Sequence, residues 1–168
     1  ISPRRVKSLI FNLMRCGVEN TIVFNMNSRF IGRLGVKFDK ILLDAPCTGE
    51  GLIPIKPERK RSRSMDDIIF MSKVQLELLK SASSVLSDGG CIVYSTCSIA
   101  PEENEFVIDE FLKENTNFSV VPMDIEYGIP GFTEVFGKKL SDELEYSRRF
   151  YPHKNSTIGF FVCKIVKG

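Results

Sequence analysis

The sequence predicts an α/β fold with a mostly parallel sheet, and three observations support that prediction. Apolar runs typical of strands alternate along the chain with segments of helical spacing. The run Ile41-Leu42-Leu43 is apolar without alternation, which is typical of a strand covered on both faces. The 168 residues, of which 43% are hydrophobic and 26% charged, suit an open, doubly wound sheet better than a closed barrel or a disordered chain.

Helices are predicted where apolar residues recur at i, i+3, i+4 and i+7. Pro3 suits the first turn of such a helix, and five apolar side chains then follow this spacing before Gly17 ends it. Asp66 and Asp67 stand where the N-terminus of a helix favours acidic side chains. The predicted helices cover residues 3–17, 68–86, 101–114 and, as a short element, 141–150.

Strands are predicted from short β-branched, aromatic or continuous apolar runs between turn signals. Residues 46–64 form a loop, because glycine and proline interrupt any regular period there, and Asp88-Gly89-Gly90 ends the second helix. No internal repeat or second domain is visible, so residues 1–168 are predicted to form one domain. The predicted strands cover residues 21–25, 38–44, 91–95, 118–121 and 159–166.

The cysteine content and the charge exclude several classes of protein. Five cysteines without a C-x-x-C pair argue against a disulfide framework and a zinc ribbon, and with His153 as the single histidine no metal is expected. No apolar run approaches the roughly 20 residues of a membrane span, so no membrane partner is expected. Free thiols indicate a reducing, cytoplasmic setting. The net charge of +2 is too small to establish nucleic-acid binding.

Two cysteine loops follow two consecutive predicted strands. Cys47 comes three residues after Asp44 at the end of the first strand, and Cys97 follows Ser95 and Thr96 at the end of the next. One long helix joins these strands, and a single helical crossover returns the chain parallel to its start. We therefore expect both thiols and the Asp44 carboxylate to meet at one edge of the sheet, where ligands bind in open α/β sheets.

The residues around these loops resemble a known family. Residues 38–49, residues 94–98 with 101–105, and residues 149–153 with 159–161 are similar to the RNA (cytosine-5)-methyltransferases of the Nol1/Nop2/Sun group, especially archaeal members. The resemblance covers nearly the whole chain. It implies the Rossmann-like fold of S-adenosylmethionine-dependent methyltransferases, with the first strands of that fold lacking. The chain is then expected to be the C-terminal part of a catalytic domain.

The resemblance also implies a role for each residue of the cysteine loops. Cys97 would add to carbon 6 of cytosine, which turns carbon 5 into a nucleophile for the methyl group of S-adenosylmethionine. Cys47 would assist release of the methylated base, and Asp44 would hydrogen-bond the edge of the base. The reacting form of Cys97 is the thiolate, so its pKa must be lowered. A helix N-terminus at Pro101 is expected to contribute to that effect.

Cofactor binding is expected from fewer residues. The resemblance assigns Arg5, Asn27, Pro46 and Asp44 to S-adenosylmethionine, with Asn27 at a position where many members of the family carry an aspartate. The glycine-rich loop and the ribose-binding acid of the family precede the matching region. The chain alone is therefore expected to bind cofactor poorly and to leave strand edges unpaired.

RNA is the expected partner. Two basic stretches carry the candidate contacts to RNA: the basic loop, residues 56–63, and a second cluster of basic and aromatic residues at 148–153. The RNA is expected to be tRNA or, as the second choice, rRNA. Two alternatives remain: an RNA-binding fragment without activity, and a redox protein that uses Cys47 and Cys97 as a disulfide pair. The candidate RNA-binding residues are Lys56, Arg59, Lys60, Arg61, Arg63, Arg149 and His153.

Overall fold

The computed structural model of the chain describes residues 2–168, which form helices, short 3₁₀ turns and a central sheet. The α-helices are α1 (Pro3–Arg15), α2 (Met65–Ser84), α3 (Glu105–Glu114) and α4 (Pro152–Asn155). The strands are β1 (Phe38–Asp44), β2 (Leu86–Thr96), β3 (Phe118–Val120), β4 (Ile129–Pro130), β5 (Glu134–Val135), β6 (Lys138–Lys139), β7 (Arg148–Phe150) and β8 (Phe160–Lys167). The predicted α/β class is confirmed.

The sheet is mixed, so the prediction of a mostly parallel sheet is wrong. Its strand order is β1-β2-β8-β7-β4, and β3 pairs with β8 beside β7. Only the β1–β2 pair is parallel among the strand pairs that residues 2–168 form. The helical crossover through α2 keeps β2 parallel to β1, as expected. β8 then runs antiparallel between β2 and the short strands, a direction that local sequence patterns do not encode.

The N-terminal part of the chain contains one predicted helix and lacks one predicted strand. α1 begins at Pro3 as predicted, and none of its residues is buried. The prediction of a strand at 21–25 is wrong, because this segment is irregular. A β-branched run becomes a strand only when a neighbour accepts its backbone hydrogen bonds, and no strand within residues 2–168 pairs with it. Its side chains Ile22 and Phe24 are exposed.

Other boundaries differ in ways that have physical causes. The serine before α2, Ser64, forms a reciprocal capping box with Asp67, which confirms the predicted acidic helix start. β2 begins at Leu86, earlier than the predicted start at residue 91. Gly89 and Gly90, which the sequence assigns to a turn, lie in a bulge of β2 opposite residues 38–40. The predicted helix at 141–150 is a 3₁₀ turn, Asp142–Tyr146, followed by strand β7.

The core lies where α2 and α3 pack against β2 and β8. Aromatic and aliphatic side chains from all four elements are fully buried there. Burial of each such side chain stabilises the fold by roughly 1.5–3 kcal/mol. Within residues 2–168, none of the helices combines the length and apolar character that crossing a membrane requires. The central members of the core are Leu79, Leu86, Ile92, Tyr94, Ile108, Phe111, Phe161 and Ile165.

Candidate active site

The two cysteine loops meet at one edge of the sheet. β1 and β2 are parallel neighbours with Asp44 opposite Ser95, so both loops leave the sheet at the same end. Cys47 Sγ and Cys97 Sγ lie 3.0 Å apart, although fifty residues separate them in the sequence. Both thiols are free and partly exposed. The predicted meeting of the two loops is confirmed.

The pKa values of the two thiols are shifted in opposite directions. The hydrogen bond with Cys47 lowers the pKa of Cys97 to about 7. The backbone of Cys97 and the charge of Arg59 act in the same direction, whereas desolvation and the charge of Asp44 oppose them. The same hydrogen bond, together with burial and the charge of Cys97, raises the pKa of Cys47. Of the two thiols, Cys97 therefore loses its proton more readily, and Cys47 is the S–H donor when Cys97 is ionised.

A buried carboxylate supports the first cysteine loop. Glu103 is fully buried and accepts hydrogen bonds from the Thr48 N–H at 3.0 Å and from Gln75 Nε2 at 2.9 Å. Gln75 Nε2 also donates to the carbonyl of Pro46 at 2.8 Å. A buried polar group left without its partner costs about 1–3 kcal/mol. These contacts therefore fix the backbone on both sides of Cys47.

The segment that carries Glu103 is not the regular helix N-terminus that the sequence predicts. Pro101–Glu103 forms a 3₁₀ turn, and α3 begins only at Glu105. Two acidic side chains of this segment, Glu103 and Glu105, are buried and accept hydrogen bonds. The hydrogen bond with Cys47 is the largest cause of the lowered pKa of Cys97.

Buried polar side chains also hold the second cysteine loop. Thr96 Oγ1 donates to Asn104 Oδ1 at 2.6 Å, and Asn104 Nδ2 donates to the carbonyl of Ser98 at 3.1 Å. Ser98 Oγ in turn donates to Glu50 Oε2 at 2.8 Å, and Glu50 belongs to the first loop. The two loops are thus joined by side chains as well as by the sheet.

Two glycines allow the backbones of the site to touch. The Gly51 N–H donates to the carbonyl of Cys97 at 3.0 Å, and the Gly159 N–H donates to the carbonyl of Gly51 at 2.9 Å. A Cβ on Gly51 would lie 2.2 Å from the carbonyl oxygen of Gly159. Only glycine fits at this contact, because the clashing atoms belong to the backbone and cannot move aside.

The basic loop divides into two groups. Arg59 is half-buried and its Nη1 donates to the Thr48 carbonyl at 2.6 Å, whereas Arg63 is exposed and its Nε donates to the same oxygen at 3.3 Å. Both guanidinium groups therefore lie against the first cysteine loop. The remaining members, Lys56, Lys60 and Arg61, are exposed.

Arg149 is a structural residue, so its prediction as an RNA contact is wrong. Its side chain is fully buried and forms an ion pair with the fully buried Glu105. It also donates to the carbonyl of Ile99 and, at 2.8 Å, to the hydroxyl of Tyr151. A guanidinium with all these partners and no exposure has no surface to offer a phosphate. His153 is exposed, with its ring 5.6 Å from that of Tyr151, and its contact with RNA stays a prediction.

A groove beside the first cysteine loop brings together three of the residues predicted to bind cofactor. Arg5, Asn27 and Pro46 line it, and its volume is about 690 Å³. The groove lining, as residues 2–168 form it, does not include Asp44. An amide, a cation and several apolar walls match the chemistry of an adenosyl group, which needs both hydrogen bonds and apolar contact. The apolar walls are Val6, Leu9, Phe24, Met26, Val74 and Leu78.

Comparison with known proteins decides the family. Residues 1–166 match the family model described as 16S rRNA methyltransferase RsmB/F. The chain belongs to the RsmB/F methyltransferase family. It is 41% identical over 170 residues to the human 28S rRNA (cytosine(4447)-C(5))-methyltransferase, a match that covers 99% of the chain and 21% of the human protein. It is 35% identical over 164 residues to the tRNA (cytosine(49)-C(5))-methyltransferase of Pyrococcus abyssi, covering 97% of the chain and 52% of that protein.

Solved structures place this RsmB/F domain in the same fold. A methyltransferase homologue from Pyrococcus horikoshii superposes with a TM-score of 0.89 at 46% identity, covering 99% of the chain and 51% of the homologue. NSun6 from Pyrococcus horikoshii, solved with SFG, gives a TM-score of 0.83 at 34% identity over 99% of the chain and 39% of NSun6. The predicted Rossmann-like methyltransferase fold is confirmed. The chain spans about half or less of the length of these relatives.

Sequence reasoning missed the residues that support the RsmB/F site. Glu103, Gln75 and Asn104 hold the cysteine loops, yet they occupy positions typical of exposed helix residues. The available signal was the resemblance of residues 101–105 to the family, which gave no role to Glu103 or Asn104. Among residues 2–168, no group of three His, Cys, Asp or Glu side chains is arranged to hold a metal ion.

Proposed function

We propose that the protein containing this chain transfers a methyl group from S-adenosylmethionine to carbon 5 of a cytosine in RNA. The observation that supports this most is the pair of thiols 3.0 Å apart at the carboxyl ends of β1 and β2. Membership of the RsmB/F family and the relatives that methylate cytosine in rRNA and tRNA point in the same direction. The cytosine must leave its stack to reach the thiols.

Cys97 begins the reaction in this proposal. Its thiolate, favoured by the hydrogen bond with Cys47, forms a bond to carbon 6 of cytosine. The electron pair of the carbon 5–carbon 6 double bond moves into the ring and makes carbon 5 nucleophilic. When bound, S-adenosylmethionine supplies the electrophilic methyl group that carbon 5 takes up. A pKa near 7 suits this step, because the thiolate is populated at neutral pH without losing all its nucleophilicity.

Cys47 acts in the second half of the reaction. Adduct formation removes the negative charge of Cys97, and with it two of the causes that raise the pKa of Cys47. Cys47 can then release its proton to solvent and accept the hydrogen of carbon 5. The electrons of that carbon–hydrogen bond restore the ring double bond, and Cys97 leaves as a thiolate. Each cycle releases one proton, the methylated RNA and S-adenosylhomocysteine, which is what remains of the cofactor after the methyl group has left.

The Asp44 carboxylate orients the base in this reaction. It is exposed at the end of β1, and its charge acts on the Cys97 thiolate. A carboxylate accepts hydrogen bonds from the amino group of cytosine, and a proton held between the carboxylate and the neighbouring ring nitrogen stabilises the negative charge that develops on the ring as the thiolate adds. This role explains why a negative charge is tolerated beside a thiolate that it disfavours.

The remaining contacts extend the same proposal. Arg5, Asn27 and Pro46 hold the cofactor in the groove next to Cys47, with Asp44 toward its reacting end. The solved structure of NSun6 with SFG, an analogue of S-adenosylmethionine, supports a cofactor site in this fold. The RNA, tRNA in preference to rRNA, is bound by phosphate contacts to exposed basic side chains in a cytoplasmic protein. Those side chains are Lys56, Lys60, Arg61, Arg63 and His153.

Serine variants of the full-length protein test the proposal. Cys97→Ser is expected to abolish methyl transfer from labelled S-adenosylmethionine to RNA and to form no covalent complex. Cys47→Ser is expected to trap the protein on RNA as a band that survives a denaturing gel. Cys16→Ser is the matched control, because Cys16 is an exposed thiol outside the site, and it should behave like the wild type.

Other outcomes favour the alternatives. A trapped complex with Cys97→Ser but none with Cys47→Ser reverses the two roles. RNA binding without methyl transfer by the wild type indicates an inactive RNA-binding protein. A reversible Cys47–Cys97 disulfide that forms without RNA, together with no methyl transfer, indicates a redox pair.

A further inference from the structure

Arg59 differs from the other basic residues of its loop in where its side chain lies. It is half-buried, whereas Lys60 and Arg61 beside it are exposed. Its Nη1 donates to the carbonyl of Thr48 at 2.6 Å. A charged donor at this distance makes a strong hydrogen bond. The head of Arg59 is therefore directed at the first cysteine loop.

Gly49 places Arg59 and Cys97 next to each other. Gly49 follows Thr48 with a φ of +77°, in the left-handed region where glycine is favoured. A Cβ at this position would lie 3.0 Å from Arg59 Nη1 and 3.6 Å from Cys97 Sγ. The guanidinium and the thiol thus both border the space that a side chain at Gly49 would occupy. A side chain on Gly49 would intrude between them.

The charged and titratable groups that act on Cys97 come from three segments. They are Cys47 in the first loop, Asp44 at the end of β1 and Arg59 in the basic loop. Glu50 lies close by but accepts a hydrogen bond from Ser98. Arg59 contributes the positive charge of this group, and within residues 2–168 it forms no salt bridge that would neutralise it.

We propose that Arg59 is a positioning residue of the thiol pair: it holds the Thr48 carbonyl and places a positive charge beside Cys97 that favours the thiolate. The inference rests on the proposed function, since a Cys97 thiolate is what that reaction requires. The proposal gives the residues of the basic loop two different functions. Arg59 acts on the thiols, and exposed members such as Lys60 contact phosphate. The charge of Arg59 lowers the pKa of Cys97, although it is the smallest of the causes that act on this thiol.

The test is the pH dependence of Cys97 alkylation in the full-length protein, without RNA or cofactor. Iodoacetamide labelling is followed by peptide mass spectrometry from about pH 5.5 to 9. Arg59→Gln is expected to raise the midpoint by roughly half to one pH unit, which slows labelling about three- to tenfold at low pH. Arg59→Lys keeps the charge and should retain the midpoint. Lys60→Ala should retain it too, while its affinity for RNA falls.

Each outcome decides the assignment. An unchanged midpoint in folded Arg59→Gln, with RNA affinity reduced as in Lys60→Ala, makes Arg59 a phosphate contact and overturns the proposal. If thermal melting shows that Arg59→Gln does not fold, Arg59→Lys carries the test, and a raised midpoint in that variant overturns it. If the midpoints behave as expected but no RNA is methylated, the proposed function fails while the action of Arg59 on Cys97 stands.

Discussion

The two halves of the site are supported very differently. Around the thiol pair, polar side chains are buried and bonded to one another, including Thr48, Glu103 and Asn104. Along the groove, α1 has no buried residue and apolar side chains such as Leu9 and Phe24 are exposed. Buried contacts within the chain therefore hold the reactive thiols in place, whereas few buried contacts hold the wall of the groove that α1 forms. Local stability follows buried contacts, so the two halves should open with different free energies.

Loss of the buried ion pair between Arg149 and Glu105 should destabilise the thiol half of the site strongly. Arg149→Met leaves the Glu105 carboxylate buried without its partner, which costs about 3–5 kcal/mol. Urea unfolding of the full-length protein should show this loss, and amide hydrogen exchange in β2 and β8 should accelerate. Exchange in α1 should be fast in both proteins.

A surface pair provides the control for that prediction. Lys139→Met removes an ion pair whose side chains are 76% and 79% exposed, and it should change the free energy of unfolding little. Equal losses in Arg149→Met and Lys139→Met would show that the buried pair does not carry the stability of this half.

The hydrogen bond between the two thiols should control the reactivity of Cys97. Cys47→Ala removes the S–H donor, so the pKa of Cys97 should rise from about 7 toward the ordinary value near 8.5. Alkylation of Cys97 increases as pH rises through its pKa, so the variant should react roughly tenfold more slowly near pH 6. Mass spectrometry of the labelled peptide measures this directly. A midpoint that stays near 7 would mean that another group stabilises the thiolate.

The smallest expected effect concerns the groove. Arg5→Ala should weaken binding of S-adenosylmethionine by about two- to fivefold, because an exposed charged contact contributes about 1 kcal/mol or less. Isothermal titration calorimetry measures the affinity. Arg4→Ala, exposed on the same helix but outside the groove lining, is the control.

The pH profile of Cys97 alkylation shows whether the groove and the thiol loops are coupled. Neither Arg5→Ala nor Arg4→Ala should move the midpoint of Cys97 labelling, since the thiol loops have their own support. A shift in Arg5→Ala would show that the two halves are coupled and that the comparison is too simple.

Sequence patterns predicted the elements that carry the thiols because those signals are local. The continuous apolar run before Asp44, the long helical spacing after residue 64 and the second apolar run before Cys97 are all present in the structure. A right-handed crossover between parallel strands then follows from chain geometry, so the meeting of Cys47 and Cys97 could be expected.

Long-range pairing explains the errors. The run at 21–25 has strand-like residues but no strand partner among residues 2–168. The sequence pattern places the residues of β7 in a helix, although they pair with β8 in the sheet. Arg149 stood in a basic, aromatic cluster that suggested RNA, yet its partner Glu105 lies 44 positions away. Each outcome depends on a neighbour that is distant in sequence.

The order of residues specifies the reactive groups of this protein: two thiols and a carboxylate at strand ends, a basic loop beside them, and the motifs of a methyltransferase family. Which charged side chains support the fold and which lie at the thiols depends on how the chain packs. Arg149 and Glu103 are buried and stabilise the fold around the site, whereas Arg59 lies near Gly49 and the Cys97 thiol. The reason is that the energy of a charge depends on its distance to other charges and to water, which a linear order of residues does not contain.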